Sequence, residues 1–417
     1  MTSPSTPARR PAAPGFYEFV ALIASLMAMT ALAIDAMLPA LPAIGESLGV
    51  ADANDRQLVI GALLIGFGFA QLIHGPLSDR FGRRPLLVGG LGLYAASSVV
   101  AALSGSFELL LAARFAQGIA VAATRVLAVS IVRDLYAGRR MAQVMSMAMM
   151  VFMAVPVIAP LLGQVILGIS SWHWIFWMFA AIGVSVGIWA RLRLPETLAP
   201  ADRLPLTFRR IAAGWRHTLT ERKSRGYMLA SAMLSGALFG FINSIQQIVY
   251  DTFGRPAMLV PAFAIFASAM AASSLLNSRI VVRIGTRKVS HIALLFFIGF
   301  AAAASAAAIA GNSSLWVFLL LLAGSMGAFG LCGANFSAMA MEEMGGIAGT
   351  ASSVQGAVGV IVGALIGGAI GQLYDGTTVP ISLGFLVCGC AALIIVLLTE
   401  RGRLFREDDA PAKPLAI

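Results

Sequence analysis

Along the chain, long runs without a charged residue alternate with short clusters of arginine, lysine and acid. Gln57–Ser78, Pro85–Phe107, Gly226–Tyr250, Pro256–Ser278 and Gly376–Thr399 are each uncharged. Each holds at least about 20 residues, enough to carry a helix across roughly 30 Å of hydrocarbon. Met141–Ala190 and Val289–Met341 are longer and are interrupted by the turn-forming stretches GISSWHW (168–174) and GNSS (311–314), so each predicts two spans. Further spans are expected at about 17–38, at about 108–132 around Arg114 and at about 346–373, bringing the total to twelve. Lipid offers the backbone no hydrogen-bonding partner, and runs this long and uniformly apolar satisfy their own groups as helices. The expected fold class is therefore all-α membrane protein with twelve transmembrane helices.

Composition agrees, because only 12% of residues are charged, against about a quarter in water-soluble domains. If the helices alternate from a cytoplasmic N-terminus, all but four of the 29 lysines and arginines fall on the cytoplasmic side. The exceptions are Arg56, Arg114, Arg125 and Arg255. This positive-inside asymmetry puts both termini in the cytoplasm. The net charge of +10 is then a topology signal, and no nucleic-acid partner is expected. The first apolar segment runs for a full span, unlike the short core of a cleaved signal; residues 1–15 read as a cytoplasmic tail and the first helix as retained. Cys332, Cys388 and Cys390 lie inside expected helices at no metal or redox spacing, which suits buried structural thiols.

The polar segment 194–224 divides the chain into six-helix bundles at 16–193 and 225–400, with a second cytoplasmic tail at 401–417. Within it, PLTFRRIAAGWRHTL sets Leu206, Phe208, Ile211, Trp215 and Leu219 among basic residues at helical spacing. This reads either as a helix along the anionic inner leaflet or as a solvated connector. A repeat supports the division. GPLSDRFGRRP (75–85) aligns with SRIVVRIGTRK (278–288), matching Arg80 with Arg283, Gly82 with Gly285 and Arg84 with Arg287, while Asp79 falls opposite Val282. Internal repeats of this kind are characteristic of secondary transporters.

Ionisable groups inside a membrane are costly and by default functional. Asp35 is expected in the outer half of the first span, facing the space between the bundles, where a desolvated carboxyl can exchange protons near neutrality. Packing near the prolines that follow is the alternative. Arg114 must find a carboxylate, a carbonyl or water, and Asp35 is its natural counter-charge. Arg125, 11 positions on, returns to nearly the same face about 16 Å along the helix. Either that face presents two cations to a cavity, or Arg125 belongs to a structural ion pair. The Met-rich fifth span offers Met149 and Met153 to varied apolar ligands, or to lipid and helix packing, and Pro156 and Pro160 provide a bend. Asn243, Gln247 and Tyr250 share a face at i, i+4, i+7; with Asn335 they want polar partners, either a substrate or another helix. Gly359, Gly363, Gly367 and Gly371, like Gly324, Gly327, Gly330 and Gly333, read as close helix packing. The four histidines are scattered and no phosphate-binding glycine loop with lysine occurs. No cofactor, metal or catalytic machinery is expected.

GPLSDRFGRRP resembles the signature loop between helices 2 and 3 of the major facilitator superfamily. IDAMLPALPAI (34–44), RFAQGIAVAA (114–123), IVRDLY (131–136), PVIAPLLG (156–163) and SWHWIF (171–176) are similar to stretches of its twelve-helix drug/proton antiporters of the bicyclomycin and chloramphenicol resistance type. The resemblance covers roughly residues 17–400 and departs at Val155 and Ala159, where glycine is usual. It implies two pseudo-symmetric six-helix bundles that export small, largely apolar compounds by proton antiport through alternating access. It also implies a monomer in a bacterial-type inner membrane. Arg114 is implied to control the protonation of Asp35 or the access of water. In the loop that begins at Gly75 and turns at Gly82, Asp79 is implied to bond to the start of helix 11, near Gly345 and Gly346, closing the cytoplasmic side. The helix dipole there favours a carboxylate, and Arg80, Arg83 and Arg84 would tether the loop to Asp134. The alternatives are a proton-coupled importer or facilitator of a small metabolite, and a polytopic membrane enzyme or sensor. The last would need a charged catalytic cluster or a sizeable soluble domain, and the sequence has neither.

Overall fold

The computed structural model describes residues 14–203, 207–311 and 314–405. The expected tails lie almost wholly outside these residues, as does Leu206. Among the described residues there are fourteen α-helices and no strand. In chain order they are α1 (Phe16–Asp35), α2 (Leu41–Ser47), α3 (Leu58–Phe81), α4 (Arg83–Ala102), α5 (Phe107–Leu135), α6 (Gly138–Ile169) and α7 (His173–Arg193), then α8 (Phe208–Thr220), and finally α9 (Arg222–Gln247), α10 (Leu259–Ile284), α11 (Thr286–Ile309), α12 (Leu315–Met341), α13 (Ala348–Gln372) and α14 (Val379–Thr399). With α1 and α2 forming one element, twelve are long and apolar enough to cross a membrane. Local chemistry fixes several ends. Ser106 caps α5 by accepting from Leu109 N at 3.2 Å, and the Glu221 carboxylate accepts from Lys223 N at 3.0 Å at the start of α9.

The charged stretch 75–85 is not an open loop. Helix α3 continues through Pro76 to Phe81, and α4 restarts at Arg83, so only Gly82 separates them. Gly82 turns the chain at φ +100°, and its repeat partner Gly285 does the same between α10 and α11 at φ +87°. Glycine adopts this region without a Cβ penalty.

Helices α1–α7 pack mainly among themselves, and so do α9–α14; the two sets meet along two seams, α3 against α13 and α6 against α10. Small residues bring axes together. A Cβ on Gly118 would collide with the Leu63 carbonyl, and one on Gly66 with the Phe115 carbonyl, so α3 and α5 interlock backbone to backbone. Gly367 likewise admits the backbone of Phe239 and Gly240, joining α13 to α9. The connector does form a helix. It is docked rather than free, because α8 packs on α9 and α13, with Gly214 against Thr350 and Thr218 buried.

Candidate functional site

Between the two sets of helices lies a cavity of about 1260 Å³. Its wall comes mainly from the second half of α3 and of α5, the middle of α9, the first half of α13, and α8. All these parts lie toward the face that carries the Gly82 and Gly285 turns and both ends of the described chain, and the cavity opens there.

The opposite end is shut by amides contributed from both sets. Gln57 Nε2 donates to Gln247 Oε1 and, at 3.1 Å, to the Gly371 carbonyl. Gln247 Nε2 donates to Asn54 Oδ1 at 2.9 Å, Asn54 Nδ2 to the carbonyls of Gln372 and Tyr374 at 3.1 and 3.0 Å, and Gln372 Nε2 to the Asn54 carbonyl at 2.9 Å. These bonds are uncharged and each contributes about 1 kcal/mol net, so the seal is firm yet exchangeable. In the turn beyond it, Thr377 donates its hydroxyl to Asp375 at 2.6 Å and holds that carboxyl below the usual carboxylate range. Gln247 therefore belongs to the shut end in this conformation and does not line the open cavity. Its neighbour on the same face, Asn243, is buried, and its Oδ1 accepts no hydrogen bond among the described residues. Tyr250 sits in a π-helical turn, Ile248–Thr252, that follows Gln247; such turns gather at functional sites.

The expected Arg114–Asp35 ion pair does not form. Arg114 is completely buried and donates to the Val59 carbonyl at 3.1 Å, the Ala33 carbonyl at 2.8 Å and Gln117 Oε1 at 2.5 Å. It thus ties α5 to α1 and α3, and the Phe176 ring lies 5.8 Å from its guanidinium carbon. Nor does it share the cavity with Arg125, because α3 closes over this part of α5 where Gly66 meets Phe115 and Gly118 meets Leu63. Asp35 ends α1 and is the one buried carboxylic acid among the described residues. Its carboxyl makes no ion pair or hydrogen bond among the described residues, and Ala36 beside it packs against Gly163 of α6.

Arg125 does line the cavity. Its close partner is Phe152, whose ring lies 5.5 Å from the guanidinium carbon, and no ion pair holds it among the described residues.

At the open end, Arg83 is the hub. It donates to Asp79 at 2.6 Å and to Asp134 at 3.0 Å, and Glu196 accepts from the backbone N–H groups of Arg83 and Arg84 at 3.0 and 3.3 Å. Of the three arginines expected at Asp134, only Arg83 reaches it. Arg84 donates to the Arg191 carbonyl instead, and Arg80 is exposed. Asp79 does not bond to the start of α13. The open cavity separates them, with Asp79, Gly75 and Gly345 all on its wall. The second half builds a related cluster without an acid at Val282, pairing Arg287 with Glu342 at 3.8 Å and with Glu400 at 3.6 Å.

The remaining expected residues lie off the open cavity. Met149 is exposed and Met153 half-buried on α6, which stays helical through Pro156 and Pro160. Asn335 donates to Asn277 at 2.9 Å, joining α12 to α10, so it found a helix partner rather than a ligand. Asn54, Gln57, Gln372, Gln117 and Glu196 were not singled out from sequence. Gln57 carried a signal, a polar residue opening an uncharged span; Glu196 carried none that separates it from an ordinary linker acid.

The model of the Major Facilitator Superfamily matches residues 22–358. The bicyclomycin resistance protein homolog of Haemophilus influenzae is 29% identical over 390 residues, covering 91% of this chain and 95% of that protein. The uncharacterized MFS-type transporter YdgK of Bacillus subtilis is 31% identical over 384 residues, covering 91% and 94%. The xylose transporter XylE from E. coli, solved in a partially occluded inward-open conformation, superposes with a TM-score of 0.70 at 13% identity, covering 93% of this chain and 97% of that one. The chain belongs to the major facilitator superfamily. It is a multi-pass membrane transporter of small molecules and not an enzyme.

Proposed function

We propose that this transporter exports small, largely apolar compounds in exchange for protons, by alternating access between residues 16–193 and 225–400 acting as two rocking bundles joined by 194–224. The observation that carries the reading is the cavity of about 1260 Å³ between the two sets of helices, open at one face and shut at the other by exchangeable amide bonds. The charge asymmetry supports a cytoplasmic open face and a bacterial-type inner membrane. In that orientation, this is the conformation that takes up cargo for export. The name of the Haemophilus relative, a resistance protein homolog, favours export over import.

Asp35 is the acid we assign to the proton, as the one buried carboxyl among the described residues. Arg114 is a positioning residue that holds α1 through the Ala33 carbonyl, two residues from Asp35. When the far end opens, Gln247 must release Gln57 and Asn54. Asn243, Tyr250, Met149 and Met153 then become available to cargo. Closure of the near end brings Asp79, whose side chain is 41% exposed here, to the start of α13. Each copy holds a whole cavity, so the working unit is a monomer. Cells producing the protein should tolerate higher doses of several apolar antibiotics than cells without it, and equal susceptibility across a broad panel argues against export.

A further inference from the structure

The charges on the cavity wall do not balance. Arg83, Arg125 and Arg133 line it, against a single acid, Asp79. Asp79 and Arg83 are bonded to each other at 2.6 Å, and Arg83 is committed again to Asp134 at 3.0 Å. Arg125 and Arg133 are left over. No side chain or carbonyl among the described residues accepts a hydrogen bond from either. The Phe152 ring 5.5 Å from Arg125 stabilises its charge and leaves its N–H donors free. A guanidinium stays ionised and presents a planar fork that matches a carboxylate. Arg133 lies eight residues nearer the mouth, about 12 Å along α5, so two free cations line the way in. The other polar groups nearby, Ser130, Ser235 and Gln71, carry no charge.

We infer that the cavity takes organic anions, with a carboxylate or similar acidic head received by Arg125 and an apolar body lying against Phe239 and Val360 on the same wall. The inference rests on reading the cavity as the substrate path. Arg125 is half-buried, and an unpaired cation withdrawn from water is costly in proportion to its burial; an anion relieves that cost and a cationic drug adds to it. The charge carried follows. One anion leaving as one proton enters moves two elementary charges per cycle, a neutral cargo moves one, and a monovalent cation none.

The test uses purified full-length protein and three probes: the aromatic carboxylate nalidixate, its neutral methyl ester and the aromatic cation ethidium. Binding is read by quenching of tryptophan fluorescence, Trp215 being on the wall. Nalidixate should bind at least about tenfold tighter than its ester, Arg125→Gln should remove that preference, and Arg125→Lys should retain most of it. No nalidixate binding, equal binding of acid and ester by the unaltered protein, or a preference for ethidium each overturns the anion assignment. Liposomes with an imposed proton gradient separate the two readings. Uphill movement of ethidium or the ester with nalidixate unbound leaves proton-coupled transport standing and removes the anion site. Arg125-dependent binding of nalidixate with no gradient-driven movement of any probe does the reverse.

Discussion

Arg114 and Asp35 lie two residues apart in their α1 contacts, yet they answer to different physics. The arginine has its donors met by two carbonyls and an amide, whereas the carboxyl has no partner among the described residues. Arg114→Leu leaves buried acceptors without their charged donor and should cost about 3 kcal/mol. A lowered midpoint in thermal unfolding of the purified protein, followed with a thiol dye at buried Cys332 and Cys388, checks this; an unmoved midpoint contradicts it. Asp35→Asn should leave that midpoint unchanged or raised, because no ion pair is lost; a clear drop would reveal a partner. The sequence announced that Arg114 needs a carboxylate, a carbonyl or water. It could not say which, because the choice depends on the α1 backbone presented at Ala33, and that is settled only when α5, α1 and α3 pack together.

Helix positions were legible to within a few residues, since the apolar runs that define them are long and their ends are charged. The stretch 75–85 misleads because Gly, Pro and charge together imitate a loop. Arg83 binds Asp79 one turn back and Glu196 receives the first amides of α4, which keeps both helices intact up to Gly82. Close packing was legible as glycine spacing in α12 and α13 at Gly324, Gly330, Gly363, Gly367 and Gly371, though Gly333 and Gly359 meet nothing within 4 Å; the tight approaches in the first half, Gly66 to Phe115 and Gly118 to Leu63, carried no repeat. Gly118→Leu should prevent α3 and α5 from closing and abolish folded protein in the membrane, whereas Gly89→Leu, at a site with nothing within 4 Å, should accumulate normally. Comparable yields of the two variants by size-exclusion chromatography would refute the interlock.

At the scale of the whole molecule, Asn243, Gln247 and Tyr250 were read as one polar face in need of partners; Gln247 meets Gln57 and Asn54 across the two sets of helices, while Tyr250 falls in a π-helical turn that shifts it from the helical register. That Gln247 bonds to Gln57 and Asn54 and not to a ligand depends on the conformation, which no sequence specifies. If the amide seal must open in every cycle, a disulfide between Asn54→Cys and Gln372→Cys, in a background lacking the three native cysteines, should stop transport and a reductant should restore it. Transport unaffected by the crosslink would mean that the far end is not a gate.

Proton coupling through Asp35 is the central claim. Its most direct measurement is proton flux in liposomes holding the purified protein and a pH-sensitive dye, with uphill movement of a carried compound followed in the same sample. Proton movement and uphill transport should occur together, and both should vanish in Asp35→Asn while downhill movement of the compound persists. Uphill transport without proton flux, or an Asp35→Asn variant that still concentrates its cargo, contradicts it.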